Sequence, residues 1–387
     1  MSKLVRFGIV GLGNIGKFHL QNLRSGKVEG GVVTAVCDAF IARKIVGEGE
    51  LAFENVDEML ASGLIDALIV ATPHTSHVEL ALKAIEKDIH VIVEKPIAVH
   101  KGDALRILEA AVKKPELQVA AMLNMRANRC FQKVKELLST GELGEIRRIH
   151  WEVTNWYRTN YYYATGGWRG TWAGEGGGVL MNQCPHNLDI FSWLFGMPEE
   201  VYSFCQFGRF HQIEVEDDVT AMMKYSNGAT ATFITSTGEA PGKNQLEIAG
   251  ENGRLTVTNN QKIRFQRNRV PMSEFCMTSQ QGFAMPECWE MEIPVEVEGN
   301  QHLEIVQNFA NAIQGKGELI SSIEQGVGSV ELANAMLLSG WTEQKICLPI
   351  DTIKYQQLLS EKATQSTFQK TEIKAAVSAA DFTKSFR

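Results

Sequence analysis

At 387 residues the chain exceeds what one ordinary hydrophobic core supports, so two domains are expected. Its 44% hydrophobic, 21% charged and 8% aromatic content is that of a folded globular protein and sets aside disordered, collagenous and membrane-spanning classes. A net charge of -7, with no dense cluster of Lys and Arg, argues against nucleic acid as a partner.

The opening residues MSKLVRFGIVGLG lead straight into an apolar strand with no export signal, and no apolar run is long enough to span a bilayer. Cys37, Cys130, Cys184, Cys205, Cys276, Cys288 and Cys347 are scattered without CxxC spacing. Reduced thiols, a cytoplasmic location, no membrane and no metal are therefore expected.

Along residues 1–125, apolar runs at 5–10, 32–37, 67–71, 90–93 and 118–123 alternate with segments at 18–23, 56–61, 78–85 and 104–112. The latter carry apolar residues three and four apart, as one buried helical stripe requires. This alternation predicts an α/β, doubly wound parallel sheet. A helix at 130–138 opens a second domain, 126–355, with strands at 146–156, 201–207, 218–225, 229–235, 245–249 and 254–258. Asn227-Gly228 and Asn252-Gly253 suit tight hairpins, so this α+β domain is expected to hold an open, mainly antiparallel sheet. Helices at 303–313 and 323–338 close it. Residues 356–387 read as a tail without a core pattern, either an arm packed on this or a neighbouring subunit or a frayed end.

The sharpest local signal is Gly11-Leu12-Gly13-Asn14-Ile15-Gly16, directly between the first strand and a helix. Gly11 permits the tight turn, Gly13 lets the backbone approach a pyrophosphate, and Gly16 allows close helix packing. The helix N-terminus adds N–H donors and partial positive charge. Asp38 ends the next strand about 20 residues on, where an acid binds the adenosine ribose and repels a 2'-phosphate. NAD is therefore favoured, with Arg43 and Lys44 near enough to leave NADP open.

Further motifs follow in order: Ala71-Thr72-Pro73-His74-Thr75-Ser76-His77, Glu94-Lys95-Pro96, and Gly176-Gly177-Gly178 leading to Pro185-His186-Asn187-Leu188-Asp189. From residue 4 to about 355 the chain resembles the Gfo/Idh/MocA oxidoreductases, the glucose-fructose oxidoreductase and inositol dehydrogenase family. The resemblance implies a small polyhydroxylated substrate, a sugar, glycoside or cyclitol. It also implies that Thr72, Pro73, His77, Glu94 and Lys95 lie along the cofactor, although His77 equally suits a capping or packing role.

Oxidising a secondary alcohol requires a base for the hydroxyl proton and a group that stabilises the developing alkoxide. Pro185 and Gly196 bracket a helix over 185–195 with His186 in its first turn, where the local field disfavours imidazolium. The resemblance makes His186 the general acid/base and Lys95 the residue that polarises the hydroxyl. Asn182 stands where the family carries an aspartate; it can hydrogen-bond a hydroxyl but cannot accept a proton. Asp189 either orients the imidazole or sits solvated. Asn124, Arg126, Trp168 and Arg169 are candidate substrate contacts, whereas Tyr161, Tyr162 and Tyr163 read as packing. Two other functions stay open: a redox-neutral sugar-modifying enzyme of glycosidase or lyase type with retained NAD, and a non-enzymatic NAD-binding regulator. A homodimer or homotetramer is implied by the open sheet face.

Overall fold

The computed structural model describes residues 4–40, 42–296, 299–370 and 373, leaving aside the side chains of Ala42 and Arg43. Among the described residues, β1 (Val5–Val10), β2 (Gly31–Cys37), β3 (Leu51–Phe53), β4 (Ala67–Val70), β5 (His90–Val93) and β6 (Val119–Ala121) form one parallel sheet. Their order is β3-β2-β1-β4-β5-β6. Helices α1 (Asn14–Arg24), α2 (Ala42–Ile45), α3 (Val56–Ala61), α4 (His77–Glu86) and α5 (Lys101–Val112) cross between them. Each central strand is buried on both faces, as a doubly wound sheet demands of Val- and Ile-rich runs. Among the strands of this sheet β3 alone escapes the sequence pattern; it is a short edge strand with no fully buried residue.

After α6 (Arg129–Ser139) come β7 (Ile146–Val153), β8 (Glu200–Phe207), β9 (Glu216–Lys224), β10 (Thr230–Ser236), β11 (Asn244–Gly250), β12 (Gly253–Thr258), β13 (Lys262–Asn268), β14 (Cys288–Ile293) and β15 (Ile346–Cys347). They form a second sheet in the order β14-β13-β12-β11-β7-β10-β9-β8-β15, antiparallel except where β7 pairs with β10. One face packs around the fully buried Trp151 with Phe131, Phe191 and Phe233. The opposite face leaves Phe204 and Met222 exposed. The pattern at β13 is diluted because only Ile263 and Phe265 of its seven residues reach the core.

Helices α7 (Asn160–Ala164), α8 (Trp172–Glu175) and α9 (Pro185–Phe195) lie in the long connection from β7 to β8, and α10 (Met272–Thr278) precedes β14. The chain then returns to the first sheet. Ile305, Val306, Phe309 and Ala310 of α11 (Gln301–Ile313) pack with Phe7, Ile9 and Leu20. Helix α12 (Ile323–Thr342) sends Ile323, Val327 and Val330 into the first core and Leu332 to Leu338 into the second. Of the two helices expected to close the second domain, α11 thus packs on the first sheet instead and α12 is shared between the two cores.

The expected boundary at 356 falls inside α13 (Thr352–Thr364), which buries Tyr355 against Trp341. Beyond it, Lys370 donates to the carbonyls of Gly166 at 2.7 Å and Arg169 at 2.5 Å, and the Ile373 amide donates to Ala164 at 2.9 Å. This part of the tail lies along its own subunit; the rest of the expected arm falls outside the described residues. Among the described residues no helix is long and apolar enough to cross a membrane.

Candidate active site

The glycine turn lies at the carboxyl ends of β1 and β4. Gly11 has φ 88°, and a methyl there would sit 2.6 Å from the Ala71 carbonyl oxygen. At Gly16 the same methyl would meet the Gly11 carbonyl oxygen at 1.9 Å, so α1 can approach β1 only without a side chain. Gly13 differs, since nothing lies within 4 Å of a methyl placed on it. No side chain caps α1, so the leading N–H groups at Asn14 and Ile15 stay open toward that space. At the end of β2 the Asp38 carboxylate accepts from the amides of Leu12 and Phe40, each at 2.9 Å. An open cradle, uncapped donors and a held acid fit the pyrophosphate and ribose of NAD.

Thr72 and Pro73 follow β4 on the way to α4, with Thr72 Oγ1 accepting from Ser76 at 2.6 Å. The ring nitrogens of His77 lie 2.8 Å from the Pro96 carbonyl oxygen and 2.7 Å from that of Thr72. The buried imidazole lies between the two loops, and when neutral it donates to one of these carbonyls, as the capping or packing role expects. Glu94 is also internal: His19 Nε2 donates to its Oε1 at 2.7 Å. Burial alone would raise the Glu94 carboxyl, but the His19 bond, with His302 and Lys95 nearby, holds it at about 2. Asn124 Nδ2 lies 3.2 Å from His302 Nδ1, and its buried Oδ1 has no partner. Burial lowers His302 to about 4.

Lys95 Nζ donates to the carbonyl of Asn182 at 2.8 Å, which ties the strand end of β5 to the turn before α9. Its pKa is lowered by burial, against the pull of Glu94 and Glu175. His186 is 9% exposed, and its Nδ1 is enclosed without a hydrogen-bond partner. Burial, then the positive charge of Lys95, places its pKa well below the ordinary histidine value, so it is neutral. Helix α9 spans the predicted residues, with Pro185 at its start and Gly196 at φ 75° past its end.

Arg126 and Asp189 pair with each other. The guanidinium Nε and Nη2 donate to the two carboxylate oxygens at 2.8 and 2.6 Å, at 2% and 0% side-chain exposure. Nη1 is taken up by Gln325. Asp189 therefore neither orients His186 nor meets solvent; it anchors α9 to the segment after β6. The aromatic loop does build a wall. Arg169 lies over Tyr162 at 4.9 Å and over Trp168 at 4.7 Å, and Trp168 meets the His74 ring edge-on at 5.0 Å.

Tyr163 packs as expected, its hydroxyl donating to Thr237 at 2.9 Å. Tyr162 departs from the packing expectation, because its hydroxyl accepts from Asn182 Nδ2 and Gln183 Nε2, both at 3.3 Å. Sequence reasoning also passed over Glu175, whose carboxylate accepts from the Asn182 amide. An acid between glycines in Gly174-Glu175-Gly176 was the available signal. His19 and His302 had none, since their partners are 75 and 178 residues away.

Two family models match the chain. That for the oxidoreductase family with an NAD-binding Rossmann fold covers residues 5–121, and that for the GFO/IDH/MocA C-terminal domain covers 131–256. Inositol 2-dehydrogenase of Pseudarthrobacter chlorophenolicus is 32% identical over 161 residues, 40% of this chain and 47% of that protein. The match thus spans about half the length of that relative. Myo-inositol 2-dehydrogenase of Thermotoga maritima is 24% identical over 66% of this chain and 75% of its own length. The WlbA dehydrogenase of Bordetella pertussis, solved with NADH and UDP-GlcNAcA, is 26% identical with TM-score 0.75, covering 90% of this chain and 100% of that one. Levoglucosan dehydrogenase with NADH, at 18% identity and TM-score 0.74 over 90% and 100% of the two chains, shares the fold.

Proposed function

Because the chain belongs to the Gfo/Idh/MocA family of NAD-binding oxidoreductases, we propose that it transfers hydride between the nicotinamide and a secondary hydroxyl of a sugar, glycoside or cyclitol. The observation that carries this reading is the bond from Lys95 Nζ to the Asn182 carbonyl, which brings the ammonium to the turn leading into α9, the helix whose first turn carries the buried His186. Bound NAD supplies the hydride acceptor in oxidation and, when reduced, the hydride donor.

Lys95 Nζ holds the substrate hydroxyl oxygen and stabilises negative charge as it develops there. His186 takes the hydroxyl proton at Nε2, the ring nitrogen that is not enclosed, and returns it in the reverse direction. Trp168 and Tyr162 offer an apolar face and a hydroxyl for a polyhydroxylated ring, and Arg169 stiffens both. The exposed sheet face around Phe204 and Met222 is the surface through which copies of the chain associate; a monomer in sedimentation would count against that.

The test is NADH absorbance with NAD and a panel of free sugars, glycosides, inositols and a nucleotide-linked sugar acid. A rise that disappears in Lys95→Ala, with NAD affinity kept, supports the assignment. Near-normal turnover by Lys95→Ala sinks it. Silence across the panel, with NAD that dialysis does not remove, points instead to redox-neutral chemistry.

A further inference from the structure

Glu175, the last residue of α8, takes no part in the chemistry above, yet it is a carboxylate only 1% exposed. Its Oε2 accepts from the Gly170 amide at 2.6 Å, and its Oε1 accepts a short bond from Asn182 Nδ2. The carbonyl of the same asparagine accepts from Lys95 Nζ at 2.8 Å. Asn182 thus bridges an ammonium, through its backbone carbonyl, and a buried carboxylate seven residues earlier, through its side chain.

A side-chain amide can sit either way round, but an ionised carboxylate only accepts hydrogen bonds. Glu175 therefore selects the orientation with Nδ2 toward itself and turns Oδ1 to the opposite side, as an acceptor for a substrate hydroxyl. Tyr162, receiving the same Nδ2 and Gln183 Nε2, keeps its own proton to donate. The charged and titratable groups facing Glu175 are Lys95, Arg169 and Lys370 on the positive side, with Glu216, Tyr163 and His74 around it. Burial pushes its carboxyl up to about 6, opposed by the Gly170 and Asn182 bonds and by Arg169 and Lys370.

We propose that Glu175 is a positioning residue: its carboxylate sets the orientation of the Asn182 amide and supplies, from the glycine loop, the negative charge opposite Lys95 that a neutral Asn182 lacks. The proposal rests on the dehydrogenase reading and extends it. The ionised form is the competent one, so activity falls as pH drops through about 6. His186 does not account for that limb, since it takes up a proton only well below the ordinary histidine value.

The test is a charge swap with two readouts. In the unaltered protein kcat/KM at saturating NAD declines through about pH 6, and the Asn182 side-chain amide resonance moves with the same midpoint in the absence of substrate. In Glu175→Gln the Gly170 amide holds the single oxygen and leaves the side-chain N–H against Asn182, which turns that amide round, removes both pH responses and lowers kcat/KM roughly tenfold or more. Asn182→Asp alone crowds two carboxylates and also loses activity. Combining the two returns kcat/KM to within about threefold of the original, a recovery that loss of packing does not produce. An Asn182 amide indifferent to pH between about 5 and 7, or Glu175→Gln within about twofold of the original rate, overturns the proposal. The amide titration decides even where a variant does not fold or no sugar is oxidised, which separates its failure from that of the dehydrogenase reading.

Discussion

Replacing Arg126 by Met leaves the Asp189 carboxylate at 0% exposure with no counter-charge. Removing one partner of a buried pair of this kind costs about 3–5 kcal/mol. The Arg126 guanidinium also lies 5.5 Å from the Trp193 ring, a contact that adds about 1 kcal/mol to the loss. Urea unfolding followed by tryptophan fluorescence at pH 7 is expected to show a loss in this range. Acidification offsets it, because Asp189 can then take a proton, by about 1.4 kcal/mol for each pH unit over which it does so. A second change, Asp189→Leu, removes the stranded charge and recovers most of the stability. Arg126→Met within about 1 kcal/mol of the original, with KM for the sugar raised, would refute the internal strut and reinstate a substrate contact.

The glycine turn separates space needed by the fold from space needed by the cofactor. Gly13→Ala, with nothing within 4 Å of the added methyl, should leave the melting temperature unchanged while weakening NAD binding; unchanged NAD affinity in a titration would remove Gly13 from the cradle. Gly16→Ala, driven to 1.9 Å from the Gly11 carbonyl oxygen, should destabilise by roughly 1–3 kcal/mol in thermal melts even without NAD. For Glu94, a folded pKa lowered from 4.5 to about 2 means that its contribution is present above 4.5 and lost as pH falls toward 2. Unfolding measured from about pH 6 down to 3 should therefore show a steeper loss in the original than in Glu94→Gln, and parallel curves would contradict the His19 bond.

Much of the architecture was legible because its causes are local. Strand β1 and helix α9 match their predicted bounds, since β-branched runs, a proline at a helix start and a glycine past its end act within a few residues. The phosphate turn is local in the same sense, and its steric reasons reside in three glycines. Edge elements were less legible: β3 and β14 have no fully buried residue, so burial left no apolar period in them.

The chain by itself therefore determined the doubly wound sheet, the cofactor turn, and the helix that carries His186. Only the tertiary structure decided what the polar groups do. Arg126 and Asp189, 63 residues apart, pair with each other because a charge leaving water needs a partner and the fold offers that one. Asn182 meets Glu175 because a left-handed turn at Gly176, φ 77°, folds the loop back on itself. Hydrophobic period is written into neighbouring residues, whereas the partner of a buried polar group is chosen by whichever segment the completed core brings within hydrogen-bond reach.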